Sequence, residues 1–177
     1  MIFNFNEYIL NGFYKTSYDD IDSIPINNIP FDKVDDYGLS YPSSVSYTGQ
    51  QAINKLKQNI LVALEEVFSS VHFVPRASAR LKQNPYGLWD GVEPSSSEWH
   101  NDHIEGGNMF ALIYFDSMPT DGSYGGSLSV KSPANIITLY PQRGDIVFVS
   151  HADCIHHKAE SSTIQRRVMN MAFLCQF

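Results

Sequence analysis

The run MFALIYFDSMPTDGSYGGSLSVKSPANIITLYPQRGDIVFVS occupies residues 109–150. Short apolar stretches recur within it, at 109–115, 126–130, 135–140 and 145–149. Turn chemistry separates them: Asp121-Gly122, Gly125-Gly126 and Arg143-Gly144-Asp145. Glycine reaches the backbone angles that tight turns require, and Asp closes turns with its own side chain. Strand-length runs punctuated in this way predict an antiparallel sandwich or barrel rather than βαβ units.

The same pattern extends upstream to 71–74 and 78–82 and downstream to 166–175. Residues 50–70 break it. Ala52, Ile53, Leu56, Ile60, Ala63, Leu64, Val67 and Phe68 recur at spacings of three and four. That is the stripe of an amphipathic helix, and Lys55, Lys57, Glu65 and Glu66 fall mostly off it. The helix is predicted to lie on a sheet. Residues 1–49, with Pro25, Pro30 and Pro42, read as an opening strand or two joined by long connections. They wrap the core as an ordered segment; a flap over the substrate is the alternative. No internal repeat is visible. The expectation is one domain over 1–177, mostly β with α support: residues 1–75 form a strand and helix support, and 76–177 a β-rich body.

Composition sets the outer limits. Of 177 residues, 43% are hydrophobic and 18% charged, enough apolar surface for a core and too little charge for global disorder. Twelve Lys and Arg against nineteen Asp and Glu leave a net charge of −7, which argues against tight binding to duplex nucleic acid. No stretch of eighteen apolar residues predicts a membrane span. The start, Met1-Ile2-Phe3-Asn4-Phe5-Asn6-Glu7, lacks a basic segment and an apolar signal core, so a cytoplasmic location is expected. Cys154 and Cys175 read as free thiols, and without a CxxC pair a structural zinc site is not expected.

Six histidines stand at 72, 100, 103, 151, 156 and 157, five of them in the β-rich part. In an extended Glu98-Trp99-His100-Asn101-Asp102, alternate side chains share a face, so His100 and Asp102 point the same way. His156 and His157 are candidates for a third ligand. Two His and one carboxylate on one face of an iron leave three positions open, the ligand set of non-haem Fe(II) oxygenases. His103-Ile104-Glu105 and His151-Ala152-Asp153 offer rival His–acid pairs.

Order and context favour the first pair. His100-Asn101-Asp102 is followed by the apolar run 109–115, then Gly125-Gly126-Ser127-Leu128, then Pro141-Gln142-Arg143-Gly144-Asp145-Ile146-Val147-Phe148, then His157-Lys158-Ala159-Glu160 and Arg166. This order, from about Ser78 to Phe173, resembles the Fe(II)/2-oxoglutarate-dependent oxygenases, in particular their prolyl-hydroxylase-like branch. The resemblance implies a double-stranded β-helix, or jelly roll, with the helix packed on its sheet. It implies Fe(II) held by His100, Asp102 and His157, with His156 as the alternative distal ligand. It implies 2-oxoglutarate and O2 as cosubstrates. Arg166, nine residues beyond His157, would grip the distal carboxylate, since a planar guanidinium matches a carboxylate with two charge-assisted bonds. Tyr114 would donate to the same carboxylate, or else sit in the core with another partner. Arg167 and Lys158 read as solvated cations.

The loop from Gln83 to Ser97 carries Tyr86 and Trp89, candidates for a lid or a stacking surface, or a passive connection. Asp116–Tyr124 is a second candidate rim. The implied activity is hydroxylation of an unactivated C–H bond, and the carboxylate of Asp102 favours it over halogenation, which needs that position open. The substrate class is a protein or peptide side chain or a small molecule, with a methylated pyrimidine as an alternative. A cupin-type metalloenzyme using His100, His103, Glu105 and a distal His, or a non-catalytic metal-binding jelly roll, are the rival classes.

Overall fold

The computed structural model describes residues 5–34, 40–67, 72–75, 80–83, 99–101, 109–150, 152, 154–160, 162 and 164–176. In chain order these form α1 (Phe5–Asn11), β1 (Phe13–Ser17), two 3-10 turns (Ile21–Ser23 and Ile26–Asn28), β2 (Lys33–Val34), β3 (Ser40–Tyr41) and α2 (Tyr47–Val67). Then follow β4 (His72–Pro75), β5 (Arg80–Gln83), β6 (Met109–Tyr114), β7 (Leu128–Lys131), β8 (Ile136–Leu139), β9 (Asp145–Ser150), β10 (His156–Ala159) and β11 (Arg167–Gln176). The described chain is thus mostly β, as the alternation of apolar runs and turns predicts. No described helix is long and apolar enough to cross a membrane.

Eight strands build a large sheet in the order β1-β9-β6-β11-β5-β3-β2, with β4 also paired to β11. A second sheet has the order β10-β7-β8. Every pairing is antiparallel. The long partner is β11, whose register against β6 runs from Val168↔Tyr114 to Phe173↔Met109.

The large sheet is buried on both faces, which explains why 109–115 and 145–149 read as continuous apolar runs instead of alternating ones. One face carries Ala111 and Ile113 of β6, Ile146 and Phe148 of β9, and Met169, Met171 and Phe173 of β11. These pack against Ile53, Leu56, Ile60 and Leu64, the stripe of α2, of which the last three are fully buried. The other face carries Phe110, Leu112 and Tyr114 of β6, Val147 and Val149 of β9, and Val168 of β11. It packs against Leu128 and Val130 of the small sheet.

The N-terminal segment holds a helix where only strands and connections are expected. α1 is anchored by the buried Tyr8, whose carbonyl accepts a 2.9 Å bond from Gly12. Gly12 ends the helix at a φ of 76°, an angle that suits glycine. Ile21, Ile24, Ile26 and Ile29 join the cluster beneath α2. The described residues 21–29 therefore wrap the core on the helix face, as expected of an ordered segment.

Candidate active site

The site is built on the sheet face that looks toward the small sheet. Along β6 that face presents Phe110, Leu112 and Tyr114, and opposite them on β11 stand Ala172, Asn170 and Val168. The period of two in β10 puts His157 inside, 6% exposed, and leaves His156 half-buried on the other face. His157 lies 4.9 Å from the Phe110 ring, centroid to centroid.

His100 reaches the same place from 57 residues upstream by a two-residue antiparallel bridge. Its N–H donates to the His157 carbonyl at 3.0 Å, and the His157 N–H donates back at 2.9 Å. The two imidazoles stand 4.3 Å apart, tilted by 56°. Backbone pairing brings these two residues together. Asp102 lies outside the described residues, as do the rivals His103, Glu105, His151 and Asp153 and the loop residues Tyr86 and Trp89. Among the described residues, no three His, Cys, Asp or Glu side chains gather as a metal-holding group.

The other end of the face is cationic. Arg166, only 2% exposed, places its guanidinium carbon 5.4 Å from the centre of the Tyr114 ring. Its Nη1 donates to the Glu160 carbonyl at 2.9 Å. Glu160 is fixed in turn by Ser127, whose Oγ donates to the Glu160 carboxylate at 2.9 Å. Among the described residues, Arg166 Nε and the hydroxyl of the fully buried Tyr114 have no hydrogen-bond partner. Burial pushes the Tyr114 pKa up; the neighbouring Arg166 cation pulls it partly back down. A protonated phenol and an open guanidinium edge are two donors awaiting an acceptor, since buried polar groups are normally paired.

A third orphan shares this face. Asn170 Oδ1 is buried without a partner among the described residues. Sequence reasoning passes over Asn170, although it is the polar interruption of the run Val168-Met169-Asn170-Met171-Ala172-Phe173. The alternation of β11 could have flagged it, because Met169, Met171 and Phe173 take the helix face and leave Asn170 to the other.

Two expectations need correcting. Arg167 is not a solvated cation: it is 6% exposed and donates to both oxygens of Asp116, from Nε at 2.9 Å and from Nη2 at 2.6 Å. Its Nη1 reaches Asn27 at 2.8 Å. A strand buried on both faces has no outward side for it, so burial forces an ion pair instead. Lys158 is half-buried with its ammonium 5.1 Å from the centre of the Trp99 ring, a cation–π contact. The expected rim 116–124 begins with this ion pair and with buried Met118, so its first residues are structural.

Comparison with solved structures places the architecture. A prolyl hydroxylase from Trichoplax adhaerens, in complex with a peptide fragment of the hypoxia-inducible factor oxygen degradation domain, superposes with a TM-score of 0.69. The match covers 96% of this chain and 86% of that one at 9% identity. A prolyl-4-hydroxylase from Pseudomonas putida gives 0.64 over 97% of both chains at 11% identity. This chain has the fold of the prolyl hydroxylases. The prolyl-hydroxylase fold extends to other chemistry, for SnoN, a non-haem α-ketoglutarate-dependent epimerase of nogalamycin biosynthesis, gives 0.63 over 95% of this chain and 79% of that one at 12% identity. No family model matches the sequence. No curated protein matches it.

Proposed function

We propose that this protein is an Fe(II)- and 2-oxoglutarate-dependent oxygenase that hydroxylates an unactivated C–H bond. The observation that carries the reading is the pair of unpartnered donors, Arg166 Nε and the Tyr114 hydroxyl, on the same sheet face as the paired His100 and His157 rings. A dicarboxylate with a metal-binding end and a distal carboxylate matches that separation of functions. In this reading the two sheets form a double-stranded β-helix within one domain over 1–177.

His100 and His157 supply two imidazole ligands from opposite sides of the bridge, and Asp102, two residues on from His100, supplies the carboxylate. The inward position of His157 favours it over His156 as the distal ligand. Arg166 and Tyr114 neutralise and orient the distal carboxylate of 2-oxoglutarate; the raised Tyr114 pKa keeps its proton available for donation. Phe110, Leu112 and Val168 make the wall apolar and exclude water. Once bound there, Fe(II) with 2-oxoglutarate and O2 would supply the oxidation of the C–H bond, with succinate and CO2 as coproducts. Tyr86 and Trp89 keep, from the sequence alone, the role of lid or substrate-contacting residues in this reading.

A peptide side chain is the first substrate class to screen, supported by the peptide bound to the Trichoplax enzyme; small molecules and methylated pyrimidines follow. The test is anaerobic addition of Fe(II) and then 2-oxoglutarate to metal-free protein, watched for a visible charge-transfer band. The band is expected only with both additions. His100→Ala and His157→Ala abolish it, and Arg166→Ala weakens 2-oxoglutarate binding by about 30-fold or more. Iron binding with no response to 2-oxoglutarate would move the protein to the cupin-type or structural-metal class.

A further inference from the structure

Among the described residues, three polar atoms on the inter-sheet face are buried and unpartnered, and 2-oxoglutarate accounts for only two of them. Arg166 Nε and the Tyr114 hydroxyl are donors and suit a carboxylate. The third, Asn170 Oδ1, is an acceptor. Every oxygen of the 2-oxoglutarate dianion is also an acceptor, so the cosubstrate cannot satisfy it. Among the described residues the protein does not satisfy it either: beside Asn170 stand Leu112 on β6, which is apolar, and Arg80 on β5, whose side chain lies outside the described residues.

The position of Asn170 is central. Tyr114, beside Arg166, lies two residues from Leu112 toward one end of β6, and Phe110, beside His157, lies two residues toward the other. Two residues of strand span about 7 Å, so Asn170 stands midway along the inter-sheet face, about that far from each end. A substrate placed near the metal end passes this point. A carboxamide sets an acceptor beside two donors, the complement of another amide.

We propose that Asn170 is a specificity-determining residue whose Oδ1 accepts a hydrogen bond from an amide-type N–H of the substrate. This rests on the oxygenase reading only in taking the inter-sheet face as the place where substrate binds. It implies a substrate with an N–H close to the carbon that reacts, and it counts against purely hydrocarbon substrates. An orphaned buried acceptor destabilises the free protein, so Asn170 is retained at a cost that a bound ligand would relieve.

The test uses two small probes that differ by one donor, N-methylacetamide and N,N-dimethylacetamide. Saturation-transfer NMR on the full chain compares wild type with Asn170→Leu. N-methylacetamide is expected to lose about two- to tenfold in binding in the variant, the equivalent of one hydrogen bond. N,N-dimethylacetamide should bind both proteins alike. The thermal midpoint of Asn170→Leu should equal or exceed that of wild type, because the orphan acceptor is gone. Asn170→Ala covers the case in which leucine does not fit. Equal N-methylacetamide signals in wild type and both variants would overturn the proposal. A second arm measures thermal stabilisation by Mn(II) with 2-oxoglutarate. It should survive in Asn170→Leu and disappear in Arg166→Ala; disappearance in both would make Asn170 part of the cosubstrate site and overturn the proposal. Absence of stabilisation in wild type itself would instead count against the oxygenase reading, while the probe comparison would still decide Asn170.

Discussion

Arg166 and Arg167 are adjacent, both buried, and used in opposite ways. The guanidinium of Arg167 is satisfied by Asp116 and Asn27, whereas Arg166 keeps an edge open beside Tyr114. Asp116→Ala is expected to cost about 3 kcal/mol in urea denaturation, because it strands a buried cation. The double variant Asp116→Leu with Arg167→Met should recover most of that loss. Tyr114 gives a pH signature. Its folded pKa lies above the ordinary phenol value of 10.0, so at high pH the native state holds a proton that the unfolded chain has released. The contribution is full below the unfolded value and is lost as pH rises past it. Urea midpoints measured from about pH 8 to about pH 11 should fall at the alkaline end, and less steeply in Tyr114→Phe. Residues of this kind are the hardest to read from sequence. Arg167 looks like a surface cation until both faces of its strand are known to be covered, and Asn170 looks like any polar residue in a strand.

At the level of elements, α2 was legible because its apolar spacing matches the helical period, and the observed Tyr47–Val67 departs from the expected 50–70 by a few residues. β6 and β9 were legible as apolar runs between turns. α1 was not, since seven residues carry too little periodicity to register. Leu56 and Ile60 lock α2 to the sheet face opposite the site. Leu56→Ala is expected to cost about 2–5 kcal/mol in a denaturation titration. The affinity for 2-oxoglutarate should stay unchanged in the same variant, because Leu56 and the Arg166–Tyr114 pair lie on opposite sides of the sheet.

Across the whole molecule, what the sequence withheld is long-range pairing. Nothing in the composition of β1 says that it borders β9, or that β11 would serve β4, β5 and β6 at once. Strand order follows from which apolar faces can be covered together, a property of the assembled layers. The antiparallel β class was legible, and the order of motifs from His100 to Arg166 pointed to the fold that the solved prolyl hydroxylases share. The geometry of the histidine pair was not legible, because it depends on a backbone bridge between segments far apart in the chain.

That bridge ties two residues, His100 and His157, to a single event. Each N–H donates to the other residue's carbonyl, at 3.0 and 2.9 Å, so separating the two segments frees both N–H groups together. Their amide protons should exchange with deuterated solvent at matched rates, as one opening unit. A ligand that gathers both imidazoles should slow the two together and by the same factor. Matched protection would show that the bridge opens and closes as one unit, whereas unequal protection would mean that the two histidines move independently.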